Sequence, residues 1–197
     1  HMVPQCAPEG MPAPLPEVTA TPAKYGFHAT IKPPFRLAEG RDVAALDAAL
    51  ARICDGTSPV TLDGLTLASL GAFLALRPTG GTAALDHLAA QVVETLDPFR
   101  APPTEAELAR RRNARLTPRQ QALLARWGYP YVMEEFRFHM TLTGPLPAAQ
   151  RGQVLEVLDR ELTPLLPAPF VIDRLSLVGE AADGRFHLLG RHALSSS

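Results

Sequence analysis

Lysine is almost absent from this 197-residue chain, which has Lys24 and Lys32 against 17 arginines. Cysteine is as scarce: Cys6 and Cys54 lie far apart with no paired spacing, which argues against both a disulfide framework and a zinc knuckle. Charge of one sign is lacking too. A formal net charge of −1 argues against a general polyanion binder. No apolar run approaches the ~20 residues a membrane span needs, and no signal peptide is visible, so a soluble, cytoplasmic monomer is expected. There is no His-x-His or Glu-bearing histidine motif that would begin a three- or four-ligand metal centre. Neither a metal nor a cofactor is expected.

Two stretches stand out against this background. Phe136, Phe138, Met140 and Leu142 alternate with Arg137, His139, Thr141 and Thr143, and Tyr25, Phe27, Ala29 and Ile31 alternate with Gly26, His28, Thr30 and Lys32. That period of two predicts strands with one apolar and one polar face over 25–32 and 136–144. A His and a Thr two residues apart share a strand face, about 6.5 Å apart at roughly 3.3 Å per residue. An imidazole and a hydroxyl so spaced can reach one small anionic group, and two such pairs can grip it from both sides.

The chain after each His-x-Thr copy is also similar. Prolines come after both, then a helical pattern (Asp42 to Cys54; Ala148 to Leu162), then an Asp-x-Leu-x-Leu strand and a Gly-x-Phe strand. The Asp lies 35 residues on in the first half (28 to 63) and 34 in the second (139 to 173), and the Phe 45 (28 to 73) and 47 (139 to 186). One motif-strand, helix, strand, strand unit is present twice. In the first copy Val43, Leu46, Leu50 and Ile53 form the buried helical stripe, Cys54 is read as a small core residue, and Leu62 to Ala68 and Phe73 to Arg77 as strands. In the second, Val154, Leu155, Leu158 and Leu162 form the stripe, with strands over Val171 to Val178 and Arg185 to Leu189 before a fraying C-terminus. His187 and His192 have no Ser or Thr two residues on and read as incidental.

These residues carry a resemblance. Duplicated His-x-Thr strands, with Tyr25-Gly26-Phe27-His28-Ala29-Thr30, Lys32-Pro33-Pro34-Phe35 and Phe138-His139-Met140-Thr141-Leu142-Thr143-Gly144-Pro145, resemble the two-histidine (2H) phosphoesterase superfamily. Over about Tyr25 to Arg191 the chain looks most like the branch found with phosphonate-metabolism genes. Members usually open with a strand before the first motif, where this chain has His1-Met2, which reads as a cloning scar, and a Pro-rich stretch. The resemblance implies a cyclic phosphodiesterase, a hydrolase acting on a nucleoside or ribose cyclic phosphate without metal. His28 and His139 would be general acid and base, and Thr30 and Thr141 donors to the non-bridging oxygens. A 2′-5′ RNA ligase-like end-processing enzyme and a non-catalytic phosphate-ester binder are the alternatives, with RNA a less favoured partner than a small phosphate ester.

The fold class implied is α+β: two pseudo-symmetric lobes, each an antiparallel sheet backed by helix, with the motif strands facing a central cleft. The organisation expected is one bilobal domain over 1–197, with a Pro-rich extended segment at 3–23, a first repeat at 24–81, a helical insertion at 82–128 and a second repeat at 129–194. Prolines 4, 8, 12, 14, 16 and 22 exclude helix from the first of these. Tyr25, Lys32, Arg137, Thr143 and Tyr131 are expected to contact substrate. For Lys32 a phosphate contact and a solvated strand end are both open, and for Tyr131 packing and stacking on substrate. The insertion should hold helices over Ala84 to Leu96, from Thr104 into Arg110-Arg111-Arg112, and from Thr117 to Gly128 behind a Thr117/Gln120 capping box. Arg110, Arg111, Arg112, Arg115 and Arg119 form its basic patch, read as a solvated face or as a contact for a distal phosphate or nucleic acid.

Overall fold

The computed structural model describes residues 8–105, 107 and 116–196. It is a mixed α+β fold with antiparallel sheets. Helix α1 (Leu15–Val18) is a single turn, and α2 (Val43–Asp55) starts where the Asp42 carboxylate accepts the Ala45 N–H at 2.7 Å. Strands β1 (Val60–Leu62), β2 (Gly64–Leu70) and β3 (Phe73–Thr79) follow, then α3 (Ala83–Leu96) and α4 (Pro118–Trp127). The second motif contributes β4 (Met140–Thr141), followed by α5 (Ala148–Leu162), β5 (Phe170–Ile172), β6 (Arg174–Glu180) and β7 (Phe186–Ala193).

β2 and β3 form a hairpin joined by Gly71 and Ala72, with Gly71 at φ +60°, the positive φ a type II′ turn requires at its first position. β4 pairs with β3 in the register Ala75↔Thr141 and Leu76↔Met140. On its other side Met140 bridges Ala29 in an antiparallel sense. Thus the two motif segments are neighbours in one sheet. β6 and β7 form the second hairpin, and β1 pairs with β5.

Each helix backs the other half's hairpin. α2 packs on β6 and β7, while α5 packs on β2. Leu46, Leu50, Ile53 and Cys54 of α2 join Leu85, Leu88, Val92 and Leu96 of α3, Phe136, Phe138 and Leu175 in the larger core. Leu74 of β3 and Val154 and Leu158 of α5 join Val18 and Leu146 in the second. Sheets backed by helices are found as expected, but with the helices exchanged: each hairpin meets the helix that follows the other motif.

Further local expectations change for physical reasons. The Pro-rich segment is not purely extended: α1 forms with Pro16 in its first turn, where a missing N–H costs nothing. Val18 is buried and its carbonyl accepts the Gly144 N–H at 2.8 Å. The first motif is not a continuous strand. A 3₁₀ turn at Pro22–Lys24 and Gly26 at φ +72° leave Ala29 as its bridged residue. Val43 is exposed at the start of α2. The C-terminus is tied down, with Ser195 N–H on the Cys54 carbonyl at 2.9 Å and Ser196 bridged to Gly56. His192 is no bystander, since its Nε2 meets Asp47 Oδ1 at 2.8 Å and joins β7 to α2. The Thr117/Gln120 capping box forms as expected, and Gly128 ends α4 at φ +72°. Thr104 and Glu107 cap each other, but the helix expected beyond them and Arg110, Arg111, Arg112 and Arg115 lie outside the described residues. Arg119 is paired with Glu134.

Candidate phosphate-ester site

The Ala29–Met140 bridge sets the geometry. Continued one residue each way, an antiparallel register with 29 opposite 140 puts His28 opposite Thr141 and Thr30 opposite His139. Side chains directly opposite share a face, with Cβ atoms about 4.5–5.5 Å apart. The two motifs thus lie side by side, and their His28, Thr30, His139 and Thr141 make up a quartet of polar side chains flanking the bridge. The reverse face is apolar: Phe136 and Phe138 are buried, and Ala29, Ile31 and Met140 pack against the larger core.

Both histidines are held in the same way. Nδ1–H of His28 donates to the Gly26 carbonyl at 3.0 Å, and Nδ1–H of His139 to the Arg137 carbonyl at 2.8 Å, each two residues back. A carbonyl only accepts, so the proton of each neutral ring is at Nδ1 and Nε2 is the acceptor. The Thr30 hydroxyl donates to His28 Nε2 at 3.1 Å. A cavity of ≈ 240 Å³ opens here, lined by Tyr25, His28, Phe73, Thr141 and Thr143 among others. His139 packs beside it, 6.0 Å from the Phe73 ring. The Tyr25 ring is 5.2 Å from Phe186 and 6.3 Å from His28, forming an aromatic wall. Among the described residues, no three His, Cys, Asp or Glu side chains converge so as to hold a metal ion.

Thr143, Lys32, Arg137 and Tyr131 each have partners within the fold. Thr143 is 1 % exposed, and its hydroxyl accepts the Leu74 N–H at 3.0 Å and donates to the Gly144 carbonyl at 2.9 Å. Besides lining the cavity, it clamps β3 to the chain after β4. Thr143→Val keeps the shape and strands a buried N–H, so it is expected to lower the unfolding free energy by about 1–3 kcal/mol. A urea midpoint shift at constant m-value measures this, and an unmoved midpoint would mean that Leu74 N–H has another acceptor.

Lys32 is neither solvated nor aimed at the quartet. Its side chain is 7 % exposed, and Nζ donates to the Val93 carbonyl at 3.2 Å and sits 3.9 Å from Asp97 Oδ1. Burial pulls its pKa down to about 8, an effect opposed by the Asp97 carboxylate and reinforced by the Arg100 guanidinium. Arg137 folds back, with Nη1 donating to the Glu134 and Phe136 carbonyls, and lines a different cavity with Asp86 and Met133. Tyr131 is exposed and edge-on to Tyr129, with ring centroids 5.7 Å apart.

One residue of this face was missed from the sequence. β3 runs on past Leu76↔Met140, and its alternation puts Arg77 on the face of Ala75, the partner of Thr141. Period-two alternation from Phe73 through Ala75 to Arg77 was the signal available.

The fold is thus an antiparallel sheet protein whose two His-x-Thr motifs meet beside a small cavity. The chain belongs to the family described as Protein of unknown function (DUF1045), whose model matches residues 30–187. That range takes in Thr30, His139 and Thr141. The protein named Ribose 1,5-bisphosphate phosphokinase PhnN of Janthinobacterium sp. (strain Marseille) is 40% identical over 174 residues, 86% of this chain and 38% of that protein. The protein of the same name from Laribacter hongkongensis (strain HLHK9) is 40% identical over 145 residues, 73% of this chain and 33% of that protein. The chain thus spans about a third of the length of these curated relatives. Both are named as kinases, which overturns the expected cyclic phosphodiesterase and, with it, the hydrolase class.

Proposed function

We propose that this chain is a sugar-phosphate-binding domain that works alongside a ribose 1,5-bisphosphate phosphokinase activity. It grips one phosphate group of a small ester between its two His-x-Thr motifs. The observation that carries this is the Ala29–Met140 bridge, which brings the two motifs into one antiparallel register. Thr141 supplies a hydroxyl donor to phosphate oxygens, and Thr30 supplies a second when its hydroxyl turns from His28 Nε2 to the ligand. The Nε2 atoms of His28 and His139 accept a proton from a ligand hydroxyl, or donate one once protonated. The relatives' names supply the ligand class, a ribose phosphate. Neither lysine follows a glycine, so neither closes a Gly-x-x-x-x-Gly-Lys-Ser/Thr nucleotide loop, which favours binding rather than phosphoryl transfer for this stretch.

The matched Nδ1 bonds support a kinship of the two halves of the kind seen in the 2H superfamily, within a single domain and in a phosphonate-metabolism setting. Calorimetric titration with ribose 5-phosphate and ribose 1,5-bisphosphate tests the reading. Each of His28→Ala and His139→Ala is expected to weaken binding about tenfold, the worth of one hydrogen bond of roughly 1.4 kcal/mol. No saturable binding of either ester by the wild type would refute it.

A further inference from the structure

The quartet carries no fixed charge, whereas a phosphate monoester bears about −1.5 to −2 at pH 7. Threonine is neutral, and imidazole changes its charge near neutral pH. The cations expected to compensate are withdrawn: Lys32 is turned to Val93 and Asp97, and Arg137 is bonded to its own backbone. We propose that Arg77 is the anion anchor of this site, its guanidinium set beside His139 on the quartet's face. The inference rests on the phosphate-ester reading above and names the residue that would hold the ligand's charge.

Two registers agree on its placement. Across the sheet, Ala75 is paired with Thr141 and Leu76 with Met140, which in turn bridges Ala29, so period-two alternation puts Arg77 on the face of Ala75 and Thr141, one residue beyond the last paired position. Neighbouring strands lie about 4.8 Å apart, well within the reach of an arginine side chain.

Arg77 is also unsatisfied. Its Nε is buried without a hydrogen-bond partner, and among the described residues its guanidinium has no carboxylate, carbonyl or ring partner. A half-buried arginine without a partner carries a desolvation penalty that an oxyanion would relieve, and a planar fork of N–H donors matches a phosphate's paired oxygens. Arg100, Arg119 and Arg174, by contrast, are paired with Asp97, Glu134 and Asp173, and Arg151, whose Nε is likewise buried without a partner, still donates through Nη2 to the Leu146 carbonyl.

The test is calorimetric titration with inorganic phosphate and ribose 5-phosphate on the wild type, Arg77→Gln, Arg77→Lys and Thr141→Val, together with thermal melts. Arg77→Gln is expected to lose about 10–100-fold in affinity for both probes, as a charged hydrogen bond would, while melting at or above the wild-type temperature. Arg77→Lys should recover only part, since an ammonium is a point charge without the fork. Wild-type affinity in Arg77→Gln with loss in Thr141→Val would overturn the anchor and leave the quartet standing. A wild type that binds neither probe would remove both. If Arg77→Gln or Arg77→Lys melts several degrees lower, the arginine is structural and the proposal fails.

Discussion

Leu74→Ala is expected to cost about 2–5 kcal/mol of unfolding free energy, the range for emptying a fully buried leucine site. Leu74 has 0 % exposure and lies among Val18, Leu146, Val154 and Leu158, so it joins β3 to α5 and to the N-terminal turn. Its backbone is engaged as well. The carbonyl accepts from Leu142 N at 3.0 Å and Thr143 N at 3.3 Å, and the N–H donates to Thr143. The truncation leaves these bonds in place, so the loss should reflect side-chain volume alone. Equilibrium urea unfolding reads it directly. Against a typical total of about 5–15 kcal/mol, such a loss leaves a much less stable protein. A loss under about 1 kcal/mol would mean that α5 closes the gap by moving toward β3.

The second large effect is a pH dependence set by Lys32. Its folded pKa is about 8, below the unfolded value of 10.5. Between those values the unfolded chain binds the proton that the folded chain has released, so stability rises with pH across that window. Below pH 8 both states are protonated and the full penalty of burying the ammonium is present. It amounts to about 3 kcal/mol, at roughly 1.4 kcal/mol for each tenfold loss of proton affinity. Lys32→Met removes the titration, and Asp97 keeps its bond to Arg100 at 2.7 Å. The variant is expected to gain stability over the wild type at pH 7 and to lose that advantage progressively toward pH 10.5. Parallel stability curves from pH 7 to 10.5 would show that the Lys32 ammonium is not depressed.

The period of two proved more legible than the strands it was taken to announce. Phe136 and Phe138 are buried and Arg137 is exposed, yet residues 136–139 make no ladder and the first motif has one bridged residue. Alternation depends on which face meets the core, and it survives where Gly26 and the 3₁₀ turn before it interrupt pairing. Helices with a local start signal were readable to within a residue or two, as the Asp42 and Thr117 caps show. Which helix covers which hairpin was not readable, because the apolar stripes of α2 and α5 are chemically interchangeable. For the same reason Lys32 was read toward the quartet: its strand parity is correct for that face, but the chain bends after Thr30 and carries it to Val93. Arg77 went unnoticed because nothing in Leu76-Arg77-Pro78 marks a site until β4 is laid beside β3.

The exchange of helices bears on how the molecule is made. A nascent chain that has emerged only through α4 holds α2 and the β2–β3 hairpin but lacks β4, α5 and the β6–β7 hairpin, the pieces that cover them. Sequence-distant pairings of this kind slow folding, because chain closure must precede the contacts that reward it. The last strand to arrive, β7, completes the cover of α2 through His192 and Asp47, and the chain beyond it ties to Cys54 and Gly56. Since the cavity is lined from both halves, by Tyr25 and His28 as well as Thr141 and Thr143, its formation reports that both have been synthesised and packed together.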